Sequence, residues 1–135
     1  MRKAVCIGLA GLIGMAYLGV TPAIAKKGDV IKTGSCTANS TWKLKVSPED
    51  DAQNNRLIEA EFEVDQNLVG QKWSVMIKRD ATPVFRSNNV VTQAPSGSFE
   101  VNSKFSNPQG KNTVTAVASN AATGEKCQAS IAVKF

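Results

Sequence analysis

Between Leu57 and Arg79 the chain reads LIEAEFEVDQNLVGQKWSVMIKR, and the alternation in this stretch constrains the fold more than any other feature. Ile58, Ala60, Phe62 and Val64 interleave with Glu59, Glu61, Glu63 and Asp65, so an extended backbone puts the apolar side chains on one face and the carboxylates on the other. That is a half-buried strand. Gln66, Asn67 and Gly70 are turn-prone, and the alternation resumes with Trp73, Val75 and Ile77, which predicts a second strand anchored near its start by a large aromatic.

The same period recurs along the chain. Trp42, Leu44 and Val46 point one way and Lys43 and Lys45 the other, until Ser47-Pro48 stops the run. Residues 49–55 form a polar, acidic loop. After the second strand of the central pair, Pro83 suits an edge, and Val84, Phe85, Val90 and Val91 predict one or two short strands around a Ser87–Asn89 loop. Ala94-Pro95-Ser96-Gly97 is a turn. Phe99, Val101, Ser103 and Phe105 then share a face, and Asn107-Pro108-Gln109-Gly110 turns the chain again. Val114, Ala116 and Ala118 precede a turn over Asn120–Glu125, and Cys127, Ala129, Ile131, Val133 and Phe135 close the chain in one phase. About seven strands at roughly ten-residue spacing predict an all-β chain folded as one antiparallel β-sandwich.

The N-terminus reads differently. Arg2 and Lys3 lead into an apolar run from Ala4 to Val20, followed by Thr21-Pro22 and Ala23-Ile24-Ala25. This is the three-part pattern of a secretory signal peptide over residues 1–25, with cleavage between Ala25 and Lys26; an uncleaved membrane anchor is the alternative. Export to the extracellular space is therefore expected. Residues 26–39 read as a polar lead, partly disordered, and residues 40–135 as the sandwich domain. The mature chain would keep fourteen basic groups against eleven acidic ones, an excess too mild and too dispersed to point to a nucleic-acid partner. Cys6 would leave with the leader. The remaining pair, Cys36 and Cys127, is expected to be bridged in an oxidising compartment, two free thiols being the alternative.

Seven short strands, an inward tryptophan at Trp73 and a closing hairpin of the form TVTAVASN-x4-EKC-x-ASIAV resemble an immunoglobulin-like sandwich. The likeness departs from antibody-type domains in the position of its bridge and in lacking the tyrosine corner. The segments GSCTANSTWKLKVSPEDD, EAEFEVDQNLVGQKWSV, APSGSFEV and ATGEKC are also similar to small secreted proteins of actinomycete-type bacteria. Those resemblances imply export, a bridge and a sandwich. They imply no active site.

The chemistry available is narrow, because the sequence contains no histidine. That removes Ser-His-Asp and Cys-His hydrolases, and a bridged cysteine pair removes thiolate catalysis and thiolate metal ligation. The carboxylate row Glu59, Glu61, Glu63 and Asp65 could in principle serve a glycosidase, but Lys43, Lys45 and Lys104 are placed to answer it as a cross-strand charge ladder. Glu49, Asp50, Asp51 and Asn54 match no calcium-loop spacing. Ser96 and Ser98 are turn residues, and Asn39-Ser40-Thr41 is a chance sequon. Trp42 and Trp73 fall in core phase, which leaves Phe85, beside Arg86 and Asn88-Asn89, as the expected exposed aromatic. No catalytic, cofactor or metal-binding residue is assigned. The expectation is a secreted, non-enzymatic binding domain recognising its partner through loops 49–55, 87–89 and 120–125. Its partner would be an extracellular protein or, as the alternative, an anionic or polysaccharide cell-wall polymer bound through lysines.

Overall fold

A computed structural model describes residues 28–49 and 57–135. The expected signal peptide with its Ala25–Lys26 junction, and the acidic loop beyond Glu49, lie outside the described residues. The described chain forms eight strands: β1 (Val30–Ser35), β2 (Thr41–Pro48), β3 (Leu57–Asp65), β4 (Lys72–Arg79), β5 (Thr82–Val91), β6 (Ser98–Ser106), β7 (Asn112–Ser119) and β8 (Lys126–Val133). They make two four-stranded antiparallel sheets, sheet A in the order β1-β2-β3-β6 and sheet B in the order β5-β4-β7-β8. The all-β sandwich read from the alternation is what forms.

The core lies between the sheets and is filled by the residues whose phase assigned them to it. Leu44, Val46, Ile58, Ala60, Phe62 and Val64 of sheet A meet Val75, Ile77, Val114, Ala116, Ala118 and Ile131 of sheet B, all essentially without water contact. Trp73 is the largest buried side chain. Its ring stands 5.9 Å from that of Phe99 on the opposite sheet, tilted by 56°, within the favoured range for aromatic pairs. The indole Nε1–H donates to Gln66 Oε1 at 2.9 Å, so the aromatic is buried without orphaning its donor.

Two stretches differ from the sequence-based expectation. The polar lead contains a strand, since Val30–Ser35 pairs along its whole length with β2, from Val30↔Val46 to Ser35↔Thr41. Gly34 makes this possible beside Trp42: a Cβ there would stand 2.5 Å from Trp42 Cζ2, so only glycine lets the indole lie across β1. Residues 82–91 form one ten-residue edge strand where one or two short ones were expected. Its pairing with β4 shifts register twice, between Trp73 and Val75 and between Ile77 and Lys78, which breaks the parity of its side chains. Phe85 and Val90, five positions apart, consequently both pack against the core.

The bridge is formed. Cys36, just after β1, is bonded to Cys127 in β8 across a Cα–Cα distance of 4.4 Å and a sequence separation of 91 residues. It ties the outer end of sheet A to the edge strand of sheet B. A chain-entropy argument credits so long a loop with about 4–5 kcal/mol. Cys36→Ser should therefore lower unfolding free energy by about 2–5 kcal/mol, read from the denaturant midpoint. Reductant should reproduce that shift in the parent protein and produce none in the variant.

Candidate functional site

The outward face of sheet A carries the carboxylate row. Register places Lys43 beside Glu63 and Lys45 beside Glu61, and the side chains meet as ion pairs at 3.6 and 3.3 Å. Both pairs are partly open to water, a setting in which each contributes at most about 1 kcal/mol. Lys104, paired in register with Glu59, reaches Glu49 Oε2 at 2.8 Å. Two rungs of the expected charge ladder are present, Lys43–Glu63 and Lys45–Glu61, while Lys104 pairs with Glu49 at the strand end.

The fifth carboxylate on this face, Glu100, was not singled out from the sequence. It stands directly opposite Glu63 on β6, and it shares a hydrogen bond with Glu61. Partial loss of hydration at its carboxyl group, then the contact with Glu61 and the repulsion from Glu61 and Glu63, raise its pKa above the ordinary value, against a smaller opposing pull from Lys43. One carboxyl of this pair thus holds its proton more tightly than usual beside another.

At the Ser35 end of the same sheet, Thr33, Gly34, Ser35, Thr41, Trp42, Lys43, Glu63 and Asp65 line an open groove of about 430 Å³, as apolar as it is polar, with Trp42 as its aromatic. Among the described residues no group of three or more potential ligands is arranged to hold a metal ion.

The other expected candidates are mostly structural. Trp73 belongs to the core and Trp42 packs against it. Phe85 is half-buried against that core and is not the exposed aromatic expected at the edge, because the register shifts turn it inward. Ser87, Asn88 and Asn89 lie within β5 and form no loop. Ser96 and Ser98 hydrogen-bond to each other at 2.6 Å beside the buried Gly97, whose carbonyl accepts from the amides of Gln66 and Asn67.

The 120–125 turn is committed at both ends. Asn120 Oδ1 accepts from the amides of Ala122 and Thr123. Glu125 is only 5% exposed, and its carboxylate accepts from Ala38 N at 3.1 Å, Ser40 N at 2.8 Å and Ser40 Oγ at 2.7 Å. Lys126 and Thr37 exchange two further bonds, Thr37 N to Lys126 O and Lys126 N to Thr37 Oγ1, both 2.9 Å. Together with the adjacent bridge these bonds bind the β1–β2 connection to the start of β8. Nothing in the sequence near Glu125 announces this role, since its partners lie some 85 residues away.

Sheet B turns a different surface outward. Its outward positions are Lys72, Ser74, Met76 and Lys78 on β4, Pro83, Arg86 and Val91 on β5, Thr113, Thr115, Val117 and Ser119 on β7, and Lys126, Gln128, Ser130 and Ala132 on β8, with Lys134 in the same phase one residue beyond. Five of these residues are cations and none is a carboxylate.

The Glu100 environment gives a pH prediction. Because its folded pKa is raised, Glu100 favours the folded state fully below the ordinary carboxylate pKa, and that contribution is lost as pH rises through the folded value. Glu100→Gln should therefore be more stable than the parent near neutral pH by about 0.2–1 kcal/mol, the scale of opposed like charges on adjacent strands. The gain should vanish on acidification below the ordinary carboxylate range, as read from denaturant midpoints across pH.

No protein-family model, curated protein or solved structure matches this chain, so its function is argued from its own surfaces.

Proposed function

We propose that the chain is a secreted, non-enzymatic binding module of immunoglobulin-like topology, acting through an open surface at the cell envelope or in the extracellular medium. The observation that carries this reading is the sorting of charge onto two broad outer faces of a stapled sandwich. Sheet A presents paired lysines and carboxylates, and sheet B presents cations alone. Such faces are suited to recognition over an area. The Cys36–Cys127 bridge supports an oxidising destination, and with it the leader read over residues 1–25.

The strand order supports the immunoglobulin-like description. With β1 set aside, β2-β3-β6 faces β5-β4-β7-β8, and the chain crosses between sheets after β3, β5 and β6. Trp73 lies on the third of those seven strands. The bridge staples an edge and does not cross the core between second and sixth strands, which separates the chain from antibody-type domains.

Between the two partner classes, the unopposed cations of sheet B favour an anionic polymer over a protein held by apolar contacts. The test is to mix the purified protein with the producer's insoluble cell wall and, separately, with its extracellular proteins, and to pellet or capture across a salt series. Retention on the wall that falls away at moderate salt is the expected outcome, because exposed charges more than about 10 Å apart are screened at 0.1 M. Salt-resistant capture of one protein would select a protein partner. Retention by neither would overturn the binding-module reading.

A further inference from the structure

We infer that the outer face of sheet B is a docking surface for an acidic polysaccharide, an inference that rests on the binding-module reading and gives it a partner and a place. On sheet A every outward lysine meets a carboxylate: Lys43 meets Glu63, Lys45 meets Glu61 and Lys104 meets Glu49. On sheet B, Lys72, Lys78, Arg86, Lys126 and Lys134 face outward with no ion pair among the described residues. Two carboxylates next to these strands in sequence are turned to backbone partners. Asp80, at the β4–β5 turn, accepts the Thr113 amide through Oδ1 at 3.0 Å, and Glu125 is buried and turned onto Ala38 and Ser40.

The spacing of the cations selects an extended ligand. Lys72 and Lys78 stand six residues apart on β4, about 20 Å, and Lys126 and Lys134 mark the two ends of β8, about 27 Å apart. Arg86 pairs with Met76, so it stands beside β4 between the levels of Lys72 and Lys78. A compact anion could touch one or two of these groups, whereas a linear polyanion laid over the face could meet them all.

The ground between the cations favours a hydroxyl-rich chain. Ser74, Arg86, Asn88 and Ser119 line a shallow depression of about 160 Å³, in which hydroxyls, an amide and a guanidinium stand around the apolar Val75, Met76 and Val117, which supply most of its surface. Thr115, Gln128 and Ser130 extend the same uncharged polar ground, able both to donate and to accept hydrogen bonds. A single-stranded nucleic acid calls for stacking aromatics, and this face has none, because Trp73, Phe85 and Phe99 all belong to the core or pack against it. An anionic membrane calls for a group of apolar side chains to insert, and this face offers only Val91, beside Lys72, as an exposed large one, the more exposed Leu68 and Val69 belonging to the β3–β4 loop.

The experiment measures binding of polygalacturonate to the purified protein, with neutral dextran, anionic phospholipid vesicles and single-stranded DNA as comparators. Polygalacturonate should bind in preference to all three. The joint variant Lys72→Gln, Lys78→Gln, Arg86→Gln and Lys126→Gln should weaken that binding roughly a hundredfold or more, at about fivefold per cation near an anionic surface. Lys43→Gln with Lys45→Gln, which removes charge from the other face, should leave it unchanged, and both variants should retain a single cooperative fluorescence-detected unfolding transition, that of the Lys43/Lys45 variant shifted down by the loss of its two ion pairs. Equal losses from the two faces, or preference for dextran, vesicles or DNA, would overturn the assignment. Should the wall retain parent and four-site variant equally, this surface assignment falls while the binding-module reading stands; a parent retained by neither wall nor protein removes both.

Discussion

The molecule depends on the burial of two inner sheet faces against each other. β2, β3, β4, β6, β7 and β8 each turn their mainly apolar side inward, so neither sheet could shed water from its inner face without the other. Trp73 and Phe99 make that dependence concrete, one from each sheet, with ring centroids 5.9 Å apart. Additional ties close the flanks. On one side the disulfide and the Glu125 carboxylate hold β8 to the β1–β2 connection, and on the other Ser103 Oγ donates to the Val84 carbonyl at 3.1 Å. Arg79 reaches Ser106 from β4 to β6 as well. A sandwich of this size has modest surface to bury, and fixing both flanks limits how far its edges can open.

Where one strand face is buried and the other wet, the period of two is written into the residues, and β2, β3, β4, β6, β7 and β8 could be read directly with their inward sets correct. β1 could not. Only Val30 and Cys36 near its ends pack on the core, while Ile31, Lys32 and Thr33 stay exposed, so its hydrogen bonds to β2 leave no amphipathic trace. β5 was obscured for another reason: the register shifts insert residues that break its alternation, so Val84, Phe85 and Val90 seemed to belong to separate pieces. Both failures are on edge strands, where pairing and burial come apart.

The surface was legible in part, where lysines could be set against the carboxylate row from the sequence. Lys43 and Lys45 could be set against Glu61 and Glu63 because the strands that carry them follow one another in the sequence. Glu100 comes from β6, which sits beside β3 by a crossover, so the crowding of Glu61, Glu63 and Glu100 appears only once strand order is known. The same holds for sheet B. Lys72 and Lys78 on β4, Arg86 on β5 and Lys126 on β8 are each unremarkable as solvent-facing residues of their own strands. Their accumulation on one face follows from the order β5-β4-β7-β8.

Staple and surface are linked through β8. Lys126 lies between Glu125 and Cys127, and both of its backbone polar groups bond to Thr37, so the residue that begins the cationic edge is fixed by the contacts that hold the sheets together. Lys32, reaching from β1 to the Ser130 carbonyl at 3.3 Å, adds a further tie along the same strand. An edge strand is ordinarily the part of a sheet most free to fray. Here the disulfide end of β8 is held by covalent and charge-assisted bonds, so the lysine there presents its charge from a fixed backbone. A fixed array of cations loses less freedom when a polymer settles on it than a mobile one would, and rigidity at this edge therefore favours binding as well as folding.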